Sequence, residues 1–146
     1  MIITTTSPYT VEQLQKLRER FDVYIKTVID IEKKICAAGM DRHFEGEQLL
    51  ITEGSQQSNL WGGGIDIETK EIDYNSFINI RPSDNNTKND IQSEEIKKAY
   101  KELTEYFFQN LVWPTQNFSL VHFQTICIVL PHSPIAVHEQ PRAFSR

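Results

Sequence analysis

The stretch FINIRPSDNN, residues 77–86, decides how the chain is read. Ile78 and Ile80 alternate with Asn79 and Arg81 until Pro82 and a run of turn formers ends the pattern. Period-two alternation is how a strand hides one face and wets the other. Extended backwards, EIDYNSFINIR (residues 71–81) sets Ile72, Tyr74, Ser76, Ile78 and Ile80 on one side. Asp73, Asn75, Phe77, Asn79 and Arg81 fall on the other, which places Asn79 and Arg81 on an open polar surface.

Working outward, NLWGGGIDIET reads as the strand before it, with Trp61, Ile65 and Ile67 on one side. The short link at residues 69–71 makes the two a hairpin. An earlier pair comes from VYIKTVIDIE and ICAAG, joined by a turn at EKK. Val23, Ile25, Thr27, Ile29 and Ile31 form the apolar face of the first; Tyr24, Lys26, Val28, Asp30 and Glu32 form the other. Three helices separate and flank the hairpins. Thr10 and Gln13 have capping-box spacing ahead of Val11, Leu14, Leu17 and Phe21. HFEGEQLLITEGS gives a short helix that stops at Gly54. Ser93 caps a last helix whose stripe is Ile96, Ala99, Leu103 and Phe107. The expected fold is α+β, in the order α-β-β-α-β-β-α. A four-stranded, mainly antiparallel sheet of two hairpins carries its helices on one face.

The chain has 146 residues, 39% apolar and 24% charged, with a formal net charge of −5. That composition fits one globular domain. The acidic balance argues against broad nucleic-acid binding, which draws on lysine and arginine to displace counterions. Cys36 and Cys127 are far apart, lack metal-ligand spacing and lie in apolar runs, so they read as core hydrophobes. The opening MIITTTSPYT has no basic start, and the longest apolar-rich run, FSLVHFQTICIVL, is too short and interrupted for a membrane span. A cytoplasmic protein is the expectation, with no cofactor and no metal site; a homodimer is compatible with this reading.

Candidate chemistry concentrates in two places. If strand parity holds, Lys26, Asp30, Glu32, Asp66, Asn75, Asn79 and Arg81 share the open sheet face. An arginine among carboxylates and amides binds an anion bidentately, or forms a structural pair with Asp30 or Glu32 on a neighbouring strand. Asp30, Glu32, Asn79 and Arg81 are therefore the candidate ligand-binding residues. His43 and Glu47 are four apart, which puts both on one face of a helix. A histidine beside a carboxylate suits acid–base work, so these two are the catalytic candidates; a structural histidine at a helix start is the alternative. The three glycines 62–64 sit inside a strand pattern, where they mark a bulge or close packing sooner than a phosphate loop. No HExxH, CxxC, Walker or GxSxG motif occurs.

The run VIDIEKKICAAGMDRHFEGEQLLITEGSQQSNLWGGGIDI, followed by SFINIRPSDNN, resembles the bacterial and archaeal domain-of-unknown-function family 5674. The matching positions include Asp30, Glu32, Lys33, Gly39, His43, Glu47, Gly54, Ser55, Gln57, Trp61, Gly62, Asn79, Arg81 and Pro82. Asn59 stands where an acidic residue is usual. The resemblance covers about residues 23–108, implies a compact cytoplasmic domain and supplies no catalytic residues. From Leu111 the composition shifts: the tail has one acid, no lysine, three of four histidines and four of six prolines. The expected division is a single α+β domain at 1–110 and a C-terminal extension at 111–146, poorly ordered or loosely packed. Two functions follow. The first is a binding or regulatory module whose polar sheet face takes a protein partner or a small anionic ligand. The second is a small hydrolase or nuclease-like enzyme using His43, Glu47, Asp30 and Arg81.

Overall fold

The structure, a computed structural model, describes residues 1–111. Beyond Leu111 the expected C-terminal extension lies outside them, and Cys127 with it. The elements run β1 (Ile3–Thr5), α1 (Val11–Arg20), β2 (Tyr24–Asp30), β3 (Ile35–Ala38), α2 (His43–Thr52), β4 (Leu60–Asp66), β5 (Ile72–Asp73) and α3 (Glu94–Phe107). The strands form one antiparallel sheet in the order β1-β3-β2-β4-β5. The α+β class stands. The sheet has five strands rather than four, because the short β1 adds to the edge of β3. Three residues carry too little pattern to announce a strand; β1 exists because β3 offers it a free edge.

Helix starts and stops follow local chemistry. Thr10 Oγ1 accepts from Gln13 N at 3.1 Å, and Gln13 Oε1 accepts from Thr10 N at 2.9 Å, closing the capping box of α1. Beyond α2, Gly54 takes φ +110°, a conformation that L side chains resist. Ser93 Oγ accepts from Ile96 N to start α3. Within α3 the stripe centres on Tyr100, Thr104 and Phe107, which are buried, while Ile96, Ala99 and Leu103 are half-buried.

The expectation that all helices share one sheet face is corrected. The Tyr100 hydroxyl on α3 lies 2.5 Å from Thr27 Oγ1, so α3 covers the face of Ile25, Thr27 and Ile29. Val28 points the opposite way, into a cluster with Ala37, Met40, Leu50 and Leu60 beneath α2. Gly46 of α2 makes this approach possible, since a methyl there would lie 3.0 Å from Val28 Cγ2 and collide with Met40. With cover on both sides, β3 and β4 carry apolar or small residues without alternation, as in ICAA and LWGGG. That uninterrupted character is what two-sided burial looks like in a sequence.

The long last strand is corrected as well. β5 ends at Asp73, and residues 77–79 form a tight 3-10 turn that starts where Ser76 Oγ accepts from Ile78 N. Asn79 then does with its side chain what a strand does with its backbone. Its Oδ1 accepts from Gly62 N and its Nδ2 donates to Gly62 O, both at 2.9 Å. The β4 ladder is thus continued by one carboxamide. The apparent alternation in FINIR is a turn whose polar residues point inward.

Candidate functional site

The structure separates the residues expected to share an open polar face. Asn79 is fully buried, and its Nδ2 also reaches the carbonyls of Tyr74 and Asn89 at 2.9 and 2.8 Å. Arg81 is 8% exposed. Its Nη1 donates to the carbonyls of Gln57 and Leu60, each at 2.8 Å, and its guanidinium stacks over Trp61 at 4.2 Å. Nε stands 3.3 Å from Asp84 Oδ2 as an ion pair without hydrogen-bond alignment. Burial pulls the Arg81 pKa below its ordinary value, with Asp84 and Glu47 opposing. Its Nη2 and the neighbouring Trp61 Nε1 have no acceptor among the described residues, and both are sealed from solvent.

Asp30 forms no ion pair with Arg81 among the described residues. Its Oδ1 accepts from the backbone of Glu32 and Lys33 at 2.9 and 2.8 Å, which shapes the turn into β3. Its Oδ2 is buried without a partner there. Glu32 is exposed on that turn. The polar sheet face expected of Asp30, Glu32, Asn79 and Arg81 is therefore corrected to buried structural contacts plus one exposed glutamate. The strand on which that face depended does not extend past Asp73.

His43 and Glu47 share α2 but serve different neighbours. Glu47 is 4% exposed and accepts from Gln57 Nε2 at 3.3 Å, on the side of Arg81. His43 Nε2 lies 2.7 Å from the carbonyl of Gly63. A carbonyl only accepts, so Nε2 carries the proton and donates. In the neutral ring Nδ1 is then an acceptor. Nδ1 has no partner among the described residues and is not sealed from solvent. Burial holds the His43 pKa below the ordinary 6.5; the Lys26 ammonium pushes the same way, while the Gly63 carbonyl and Asp73 pull it back. The ring is thus an uncharged acceptor at neutral pH.

The glycine run explains how His43 comes to lie on the sheet. A methyl on Gly62 would sit 2.8 Å from Ser76 Oγ and 3.1 Å from His43 Cδ2. One on Gly64 would strike the hydroxyl end of the Tyr24 ring, and the Lys26 ammonium lies over that ring at 5.8 Å from the centroid. The backbone of β4 is therefore a floor on which His43, Ser76 and Tyr24 rest. Close packing is the role of these glycines, as one of the two sequence readings held. Above the floor lies a cleft of ≈ 350 Å³, walled by Phe44, Phe77 and Ile78, with Lys26, Arg42 and His43 among its polar groups. Phe77 is 81% exposed and Phe44 57% exposed. Large aromatics so placed around a cavity are a surface that excludes little water until something fills it. Asp41 also borders the cleft, but its carboxylate is held by Arg20 Nη2 at 2.5 Å. In the first turn of α2 the Glu45 carboxylate accepts from the backbone N–H groups of Asp41 and Arg42, each at 3.1 Å, so the cationic groups of the cleft are the Lys26 and Arg42 side chains rather than the helix end.

Sequence reasoning had named His43 and Lys26. Ser76 and Phe77 were missed because the turn at 77–79 reads as strand, and Phe44, on the expected helix, carries no polar group to mark it. Among the described residues no group of three or more His, Cys, Asp or Glu side chains could hold a metal ion, and no helix is long and apolar enough to cross a membrane.

A two-faced antiparallel α+β domain with an aromatic-rimmed cleft under one helix start is the class that fold and site define. The chain belongs to a family described as proteins of unknown function (DUF5674), whose model matches residues 1–107. No curated protein and no solved structure registers a match to the chain.

Proposed function

We propose that the domain is a binding module whose cleft takes a small ligand with an apolar body and an anionic group. The observation that carries this is the pairing of two exposed phenylalanines with a cavity whose free charges are cationic. Lys26 makes no ion pair among the described residues, and Arg42 approaches Glu45 only at 4.0 Å with its side chain 79% exposed. An anionic ligand therefore meets cations that have not been spent internally. The enzyme alternative built on His43, Glu47, Asp30 and Arg81 loses its support, because the partners of Glu47, Asp30 and Arg81 are distinct from those of His43.

Anilinonaphthalene sulfonate, an aromatic anion, is a direct probe. Fluorescence titration of the native chain is expected to show a saturable site. Phe77→Ala should weaken it about tenfold, the equivalent of about 1.4 kcal/mol of lost aromatic contact. Lys101→Ala, on the exposed side of α3, should leave it unchanged. Equal binding by the wild type and Phe77→Ala would remove the cleft from consideration.

A further inference from the structure

The polar groups of the cleft specify more than a charge. Resting on the reading above, we infer that the ligand is a hydroxyl-bearing aromatic acid, whose hydroxyl donates to His43 Nδ1 while its carboxylate faces Lys26.

The inference follows from counting which hydrogen-bonding capacities remain unused. Gly63 takes the Nε2 proton of His43, which leaves Nδ1 as an acceptor with a lone pair and no partner among the described residues. Lys26 offers only donors, and its ammonium has no carboxylate partner there. Ser76 Oγ accepts from Ile78 N, so its own proton is available to a ligand acceptor. Apart from the Asp41 carboxylate, which is paired with Arg20, the cleft side chains therefore present His43 Nδ1 as an acceptor amid several donors. A simple aromatic carboxylate satisfies the donors and the walls of Phe44 and Phe77, yet its ring covers Nδ1 without pairing it. Covering a polar atom without a partner is costly, and sites of this kind discriminate strongly against the analogue that lacks the hydroxyl. A ligand with a hydroxyl donor, a carboxylate and a ring matches all three requirements. The ≈ 350 Å³ cavity is of single-ring rather than polymer scale.

The test uses the full chain and four probes: phenylacetate, mandelate, ortho-hydroxyphenylacetate and para-hydroxyphenylacetate. Displacement of anilinonaphthalene sulfonate and NMR titration report their affinities. At least one hydroxylated acid should bind about tenfold more tightly than phenylacetate, a difference set by the single added hydrogen bond. His43→Gln keeps a nitrogen donor for Gly63 but lacks the second ring position, so it should erase that preference. If this variant does not fold, the comparison among ligands on the wild type stands by itself. Phenylacetate binding as tightly as every hydroxylated acid would overturn the role given to Nδ1 while leaving the binding reading intact. Binding of the sulfonate with no competition from any of the four acids would overturn the ligand class. Absence of sulfonate binding as well would mean that the cleft is not a binding site.

Discussion

Arg81 and His43 both press a polar side chain against β4 or the residues leading into it, and they end in opposite states. Arg81 spends Nη1 on the carbonyls of Gln57 and Leu60, lies flat on Trp61 and seals its last nitrogen from solvent. His43 spends one ring nitrogen on Gly63 and keeps the other accessible, beside exposed aromatics. Residue type alone favours the arginine as the ligand-binding group. What separates the two is whether the chain itself supplies the partners. Arg81 and Asn79 clasp the turn at 77–86 onto β4, so several residues that carry the family resemblance contact one another: Asn79 with Gly62, and Arg81 with Gln57, Leu60 and Trp61.

The sharpest way to break this contrast lies two residues apart in sequence. Asn79→Ala strips Gly62 of both its partners and leaves buried carbonyls unmatched, so it should cost about 3 kcal/mol or more in a urea melt. Phe77→Ala, which removes an 81% exposed ring, should change stability by less than about 0.5 kcal/mol while weakening the sulfonate probe. A stable Asn79→Ala would show that the clasp is decorative. Arg81→Lys comes next: it keeps the charge but loses the planar fork and the stacking on Trp61, for an expected loss of about 1–2 kcal/mol.

The smallest expected effect is the pH dependence from His43. Its folded pKa lies below the ordinary 6.5. Between those two values the unfolded chain binds a proton that the native chain refuses. Stability is therefore complete above about pH 6.5 and falls as the pH drops towards the folded value. Thermal melts at about pH 7.5 and 5.5 should show a steeper loss for the wild type than for His43→Gln. Identical losses would mean that burial does not hold the ring neutral.

The legible parts of the fold were those decided locally. The Thr10–Gln13 box, the stop at Gly54 and the Ser93 cap each depend on residues within a few positions. The hairpin of β2 and β3 was legible for the same reason. The second helical layer was not, because α2 covers a face that strand parity assigned to water. Lys26 and Asp30 mark that face as polar, although Val28 between them sits in the core beneath α2. Asn79 was misread because a carboxamide completing a ladder leaves the same letters as a strand residue facing solvent. His43 stood out in the sequence by its chemistry, but its companions did not. Lys26, Gly63, Asp73 and Phe77 come from separate segments, and only the pairing of β2 with β4 and the turn after β5 bring them to one place.

The central claim is that ligand meets the chain at the His43 cleft and not at the Arg81 turn. Nitrogen–proton correlation spectra of the labelled full chain, titrated with anilinonaphthalene sulfonate, test it residue by residue. The expected result is that the amide signals of His43, Phe44, Ser76 and Phe77 move together and saturate. Saturable movement centred on residues 81–86, with those four amides unmoved, would contradict it.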